Sequence, residues 1–269
     1  MVRTPVMINT FLAAGIYARL EVNDLPFYKL PLQPGPHSAN GGLNQLLVPG
    51  ENVIELQILR GPTSPPPKAT PAQKEIVAIN IFLVTDAEAD PVEVDILHKI
   101  VFPDIWEDEP LERRKLPYRH VSRFTPPVDI YTPAYLNAPP AHFDCDGTPE
   151  LRRAVAEIHQ ALAAGDGDRF VDLVSLKLEE KARAYAGATE ATLATQRERF
   201  DEFFKNPLDV KPLGDFRDIH FRPRVGGRVA EVTRWDGTPL LHAINTIDSY
   251  DQFQGNLLLT RQGGQWRAF

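Results

Sequence analysis

The chain has 269 residues, 43% of them hydrophobic and 24% charged, and carries a formal net charge of -7. That acidic balance excludes a general phosphate-binding surface, so nucleic acid is not an expected partner. The single cysteine, Cys145, excludes an internal disulfide and a cysteine-rich metal centre, and no apolar stretch is long enough for a membrane span.

The opening stretch "MVRTPVMINTFLAAG" is interrupted by Asn9, Thr10 and Gly15. It lacks a continuous apolar core and a small-residue cleavage site, so no signal peptide is expected and a cytoplasmic setting is. The first half then reads as strands. "AGIYARLEV" sets Ile16, Ala18, Leu20 and Val22 on one face against Tyr17, Arg19 and Glu21, and Asn23-Asp24 supplies a turn before Phe27–Leu30. Pro49-Gly50 is a second turn, after which Ile54, Leu56 and Ile58 alternate with Val53, Glu55, Gln57 and Leu59. "EIVAINIFLVTD" is apolar on both faces and belongs in the middle of a sheet, while "VEVDILHKIVF" alternates again. Short strands divided by turn signals predict an all-β antiparallel sandwich over residues 1–115. Its "NGGLNQLLVPGENVIELQI" resembles, in a generic way, segments of jelly-roll and galactose-binding-like sandwiches, from which no function follows.

Two proline-rich stretches punctuate this half. Residues 61–73 read as an exposed loop, and the basic run Leu111–Arg123 as a solvated strip offsetting the acidic "DIWEDE" before it. Residues 116–147 read as a connection through which no regular ladder runs, because proline fixes φ and removes a donor. Phe124, Ile130, Tyr131, Tyr135, Leu136 and Phe143 make it too apolar to float free, so it is expected to pack along the domains it joins.

At Thr148 the pattern becomes helical. Thr148 caps, Pro149 suits the first helical position, and Leu151, Val155, Ile158 and Leu162 share one face. In "GDGDRFVDLVS", Gly165 ends that helix and Asp166 or Asp168 caps a second, carrying Phe170, Leu173, Val174 and Leu178. The aspartates are therefore turn and capping residues, since a calcium loop needs more spaced oxygen ligands than the two present. A third helix starts near Thr189-Glu190, carries Leu193, Phe200, Phe203 and Phe204, and stops before Asn206-Pro207. Strands follow at 208–213, 219–224, 228–235, 240–247, 255–261 and 265–269, with Gly226-Gly227, Asp236-Gly237 and Gly263-Gly264 as hairpin turns. Residues 148–269 are thus an α+β domain of three helices and a curved antiparallel sheet.

"ELRRAVAEIHQALAAGDGDRFVDLVS", the later "RFDEFF" and the closing "LLLTRQGGQWRAF" resemble the nuclear-transport-factor-2-like superfamily, also called cystatin-like or SnoaL-like, over about residues 148–269. The resemblance implies a bent sheet wrapped around helices as a cone, hollow in some members. It implies no particular activity, because this fold hosts enzymes, binding domains and dimerisation modules.

Were the cone catalytic, a base would point inward from the sheet. The candidates are His242, read as inward with Leu240, Ile244 and Thr246, His159 on the first helix, and Asp248 and Tyr250. His37, His98, His120 and His142 fall on different elements, so neither a metal nor a cofactor is expected. Trp106, Tyr118, Trp235 and Trp266 read as packing residues. Without a recognisable catalytic set, the expected function is non-catalytic binding or scaffolding of a protein partner, one version being a bacterial accessory or immunity-type protein. The alternative is an enzyme or small-ligand carrier using the cone. Carbohydrate recognition by the sandwich is a third reading, and a homodimer through the open sheet is compatible with the fold.

Overall fold

The computed structural model describes residues 4–12, 17–30, 37–59, 77–86, 92–101, 118–185, 190–236, 238–248 and 251–269. The loop expected at 61–73, most of the basic run, Trp106 and Tyr250 lie outside the described residues. The chain divides into two compact units that meet between Thr132 and Pro133, inside the proline-rich connection.

In the first unit the described elements are strands: β1 (Val6–Leu12), β2 (Tyr17–Val22), β3 (Leu25–Leu30), β4 (His37–Gly42), β5 (Asn52–Leu59), β6 (Val77–Asp86), β7 (Glu93–Val101) and β8 (Tyr118–Phe124). They form two antiparallel four-stranded sheets, ordered β4-β1-β6-β7 and β3-β2-β5-β8. Alternation decides which side chains go inside. Ala18, Leu20 and Val22 of β2 and Ile54, Leu56 and Ile58 of β5 are fully buried. Asn23 and Asp24, both at positive φ, make the β2–β3 turn. The β6 strand is central, between β1 and β7, which explains its apolar run. Asn52 is buried without being left unsatisfied. Its Oδ1 accepts from Val48 N at 2.8 Å and Asn23 Nδ2 at 2.7 Å, and its Nδ2 donates to Val48 O and Gly50 O.

One expectation fails here. A regular ladder does run through the proline-rich connection, since β8 pairs with β5 from Asn52↔Phe124 to Ile58↔Tyr118. The segment Tyr118–Phe124 contains no proline, and β8 lies at a sheet edge where only one side of its backbone must pair.

The second unit contains α1 (Pro149–Ala163), α2 (Gly167–Leu173), α3 (Ser175–Tyr185) and α4 (Glu190–Phe204). Strands β9 (Leu208–Val210), β10 (Ile219–Arg224), β11 (Val229–Arg234), β12 (Leu241–Asn245), β13 (Gln252–Gly255), β14 (Leu257–Gln262) and β15 (Gln265–Ala268) follow. Thr148 Oγ1 accepts from Leu151 N at 3.3 Å, and Asp166 Oδ1 accepts from Arg169 N at 3.0 Å, so both helix starts are capped as the residue types require. Among the described residues there are four α-helices instead of three, because the second helical stretch breaks at Val174, whose φ of -104° and ψ of 11° leave the helical region. The break lets Phe170 and Val174 enter the helix–sheet core while α3 buries Leu176, Leu178 and Ala182.

The strands form β10-β11-β14-β15 and β13-β12-β9. The turn expected at Asp236 does not make a hairpin: β11 pairs with β14, and β12 with β13. Because β13 and β14 are separated only by Asn256, they act as one bent strand bordering both sheets. Val232 faces Leu257 and Leu241 faces Gly255, so one side advances two residues while the other advances nine. The surplus chain is an excursion at the corner. Asn256 Oδ1 accepts from Leu240 N across it at 3.2 Å. Buried Arg234 donates from Nε to Pro239 O at 3.2 Å, from Nη1 to Leu213 O at 2.9 Å, and from Nη2 to Pro212 O at 2.7 Å and Leu240 O at 3.4 Å.

Residues 133–147 pack along this unit. Tyr135 is buried against Phe269, Ala134 N donates to Glu180 Oε2 at 2.9 Å, and Phe143 meets Trp266 edge-on. Gly227, at φ 83°, lets Ala141 N reach its carbonyl at 2.9 Å; a Cβ there would stand 2.6 Å from Ala141 O.

Candidate functional site

A cavity of about 320 Å3 opens between α2, α3 and α4 on one side and the β12–β14 corner on the other. Its position follows from the corner: where the two sheets diverge at Gly255–Asn256, helices packed on one cannot fill the space beside the other. Phe170, Phe200, Phe203 and Phe253 form an aromatic wall, with Phe170 and Phe253 meeting edge-on at 5.7 Å and Phe200 lying 5.7 Å from Phe170. Gly255 also lines the cavity, and a Cβ added there would meet nothing within 4 Å.

The polar part of the lining is one-sided. Lys177 and Lys181, one helical turn apart on α3, and Arg199 of α4 stand around the cavity, and no Asp or Glu lines it among the described residues. All three cations are open to solvent at one end. Desolvation by the surrounding wall, then the like charge of Lys181, holds the Lys177 ammonium below the usual lysine range. Among the described residues, none of the three has an ion pair or side-chain hydrogen bond.

None of the described histidine or aspartate candidates lines this cavity. On β12 the buried positions are Leu241, Ala243 and Asn245, so His242 faces away from the core, against expectation. The alternation is out of step by one because Leu240 belongs to the corner excursion and the strand begins at Leu241. His242 Nε2 lies 3.2 Å from Gln254 Nε2. His159 Nε2 donates to Lys211 O at 3.0 Å, and Lys211 N donates to His242 O at 2.9 Å, so the two histidines flank one backbone segment and clip α1 to it. Asp248 is exposed, its amide bonded to Asn245 Oδ1, in the turn before β13.

A second, larger groove of about 940 Å3 lies between α1, α2 and the β14–β15 hairpin. Arg153, Arg169 and Arg261 share it with Glu150, Glu157 and Asp172, so it presents both signs of charge. Trp235 is not a packing residue. It is 59% exposed and stacks on His220 at 4.1 Å. In the first unit the fold brings together two histidines that looked scattered: His98, bonded to Ser122 Oγ and stacked on Phe124, lies near His120. Burial, then His120, pulls the His98 imidazole below its usual range. No group of three or more His, Cys, Asp or Glu among the described residues could hold a metal ion. No described helix is long and apolar enough to cross a membrane.

Sequence reasoning placed Phe200 and Phe203 on a helix without assigning them to a site, and it missed Lys177, Lys181, Arg199, Phe253 and Gly255. One legible signal was Lys177, a cation set among Val174, Leu176 and Leu178, with Lys181 one helical turn further on. No family model matches the chain, and no curated protein or solved structure matches it.

Proposed function

We propose that the C-terminal unit is a non-catalytic binding domain of the nuclear-transport-factor-2-like kind, joined to an N-terminal sandwich, and that it holds a small molecule with an apolar body. The observation that carries this reading is the Phe-walled cavity of about 320 Å3, at the small end of ligand pockets. Among the described residues no His, Asp or Glu side chain lines it, and its aromatic wall suits the apolar body of a bound molecule.

The test uses the neutral fluorophore N-phenyl-1-naphthylamine. Wild-type protein is expected to enhance its emission saturably, and Gly255→Leu, which extends a side chain into open space, to abolish the enhancement with little change in melting temperature. Equal enhancement by both proteins, or none by the wild type, rejects the reading.

A second reading, protein recognition by the N-terminal unit, is favoured by β7. This edge strand exposes Val94 at 42% and Ile96 at 57%, beside Val92 at 51%, and an exposed apolar edge invites strand pairing. In its simplest form the partner is a second copy. Sedimentation velocity is then expected to show concentration-dependent dimerisation that Ile96→Lys abolishes, and a wild type that stays monomeric at every concentration counts against it.

A further inference from the structure

We infer that the ligand of the Phe-walled cavity is a free single-chain amphiphile with an anionic head, an aliphatic or aryl monocarboxylate, whose tail lies against Phe170, Phe200 and Phe253 and whose head meets Lys177, Lys181 and Arg199. This rests on the pocket reading above and names its ligand class.

The argument is one of charge placement. The chain as a whole carries -7, yet the lining of this cavity holds three basic side chains and no Asp or Glu among the described residues. On the same helices Arg183 pairs with Glu179 and Glu180, and Arg197 with Asp172. Among the described residues Lys177, Lys181 and Arg199 have no such partner, and they surround an apolar space. Two ammonium groups one turn apart repel each other. An anion placed between them relieves that cost, and a carboxylate can accept from several donors at once. The tail is required because the remaining wall is aromatic and aliphatic and cannot satisfy a fully hydrated ion. The enclosed volume suits one such molecule.

The experiment displaces N-phenyl-1-naphthylamine with decanoate and, separately, with decan-1-ol, which share a tail and differ in the head. Decanoate is expected to bind about tenfold more tightly than the alcohol, a preference that narrows with added salt. Combined Lys177→Gln, Lys181→Gln and Arg199→Gln is expected to remove the preference and leave alcohol and fluorophore binding unchanged, which also shows that the variant is folded. Equal affinities in the wild type, or a preference that survives in the triple variant, overturn the assignment while leaving the pocket standing. Failure of the fluorophore itself to bind rejects the pocket reading first. Co-sedimentation with phosphatidylglycerol vesicles addresses the source of the anion: binding to vesicles without binding to decanoate overturns a free amphiphile in favour of a lipid surface.

Discussion

Replacing Arg234 by Met is expected to destabilise the C-terminal unit by about 3–5 kcal/mol, a large share of a typical domain's stability. The guanidinium is buried and donates to four backbone carbonyls, those of Pro212, Leu213, Pro239 and Leu240. Two of them follow β9 and two lie in the excursion before β12, so a single side chain pins both loops at the corner. Met fills similar volume but leaves four acceptors facing an apolar group, and each must find water or move. Lys keeps the charge but cannot reach four acceptors in a planar fork, so Arg234→Lys is expected to lose about half as much. Urea unfolding followed by tryptophan emission measures both, since Trp235 and Trp266 lie in this unit. Hydrogen exchange at Leu241–Asn245 separates loosening of the corner from global unfolding. Because Leu241, Gly255 and Asn256 also line the cavity, loosening of the corner is expected to weaken fluorophore binding. A variant as stable as the wild type shows that the loops hold themselves.

The second large effect concerns Arg224 and Glu231, whose side chains are only 2% and 4% exposed. Arg224 Nε and Nη2 both reach Glu231 Oε2 at 2.7 Å, across the β10–β11 pairing. Removing either partner takes the counter-ion from a buried charge, so Glu231→Gln and Arg224→Met are each expected to cost about 3–5 kcal/mol. The double replacement Arg224→Met with Glu231→Leu is expected to cost far less than the sum, about 0–2 kcal/mol, because the charges leave together and apolar atoms take their volume. A thermodynamic cycle from the four unfolding curves measures the coupling. Additive losses mean that each residue acts through contacts other than the pair.

The errors of sequence reading share physical causes. The strands β1, β4 and β13 passed unnoticed because Val6–Leu12 was weighed only as a signal-peptide candidate and rejected, and His37–Gly42 and Gln252–Gly255 carry polar residues and glycine in place of an apolar alternation. Their pairing comes from neighbours far along the chain, β1 with β6 and β13 with β12. His242 was assigned to the interior because alternation was counted from Leu240, and only the register against Gly255 shows that the strand begins one residue later.

What the sequence by itself determined about this protein is local. It set the change from strands to helices at Thr148, the caps at Thr148 and Asp166, the turns at Asn23-Asp24 and Gly263-Gly264, and the buried faces of β2, β5 and α1. Each depends on residues within a few positions of one another, where φ preferences, short capping bonds and side-chain periodicity act. The tertiary structure alone decided the corner, the cavity beside it and the gathering of Lys177, Lys181 and Arg199 around that cavity. These depend on which strand borders which, and on how an excursion between β11 and β12 is absorbed. Such pairings are paid for by contacts between distant segments and leave no periodic trace in the chain.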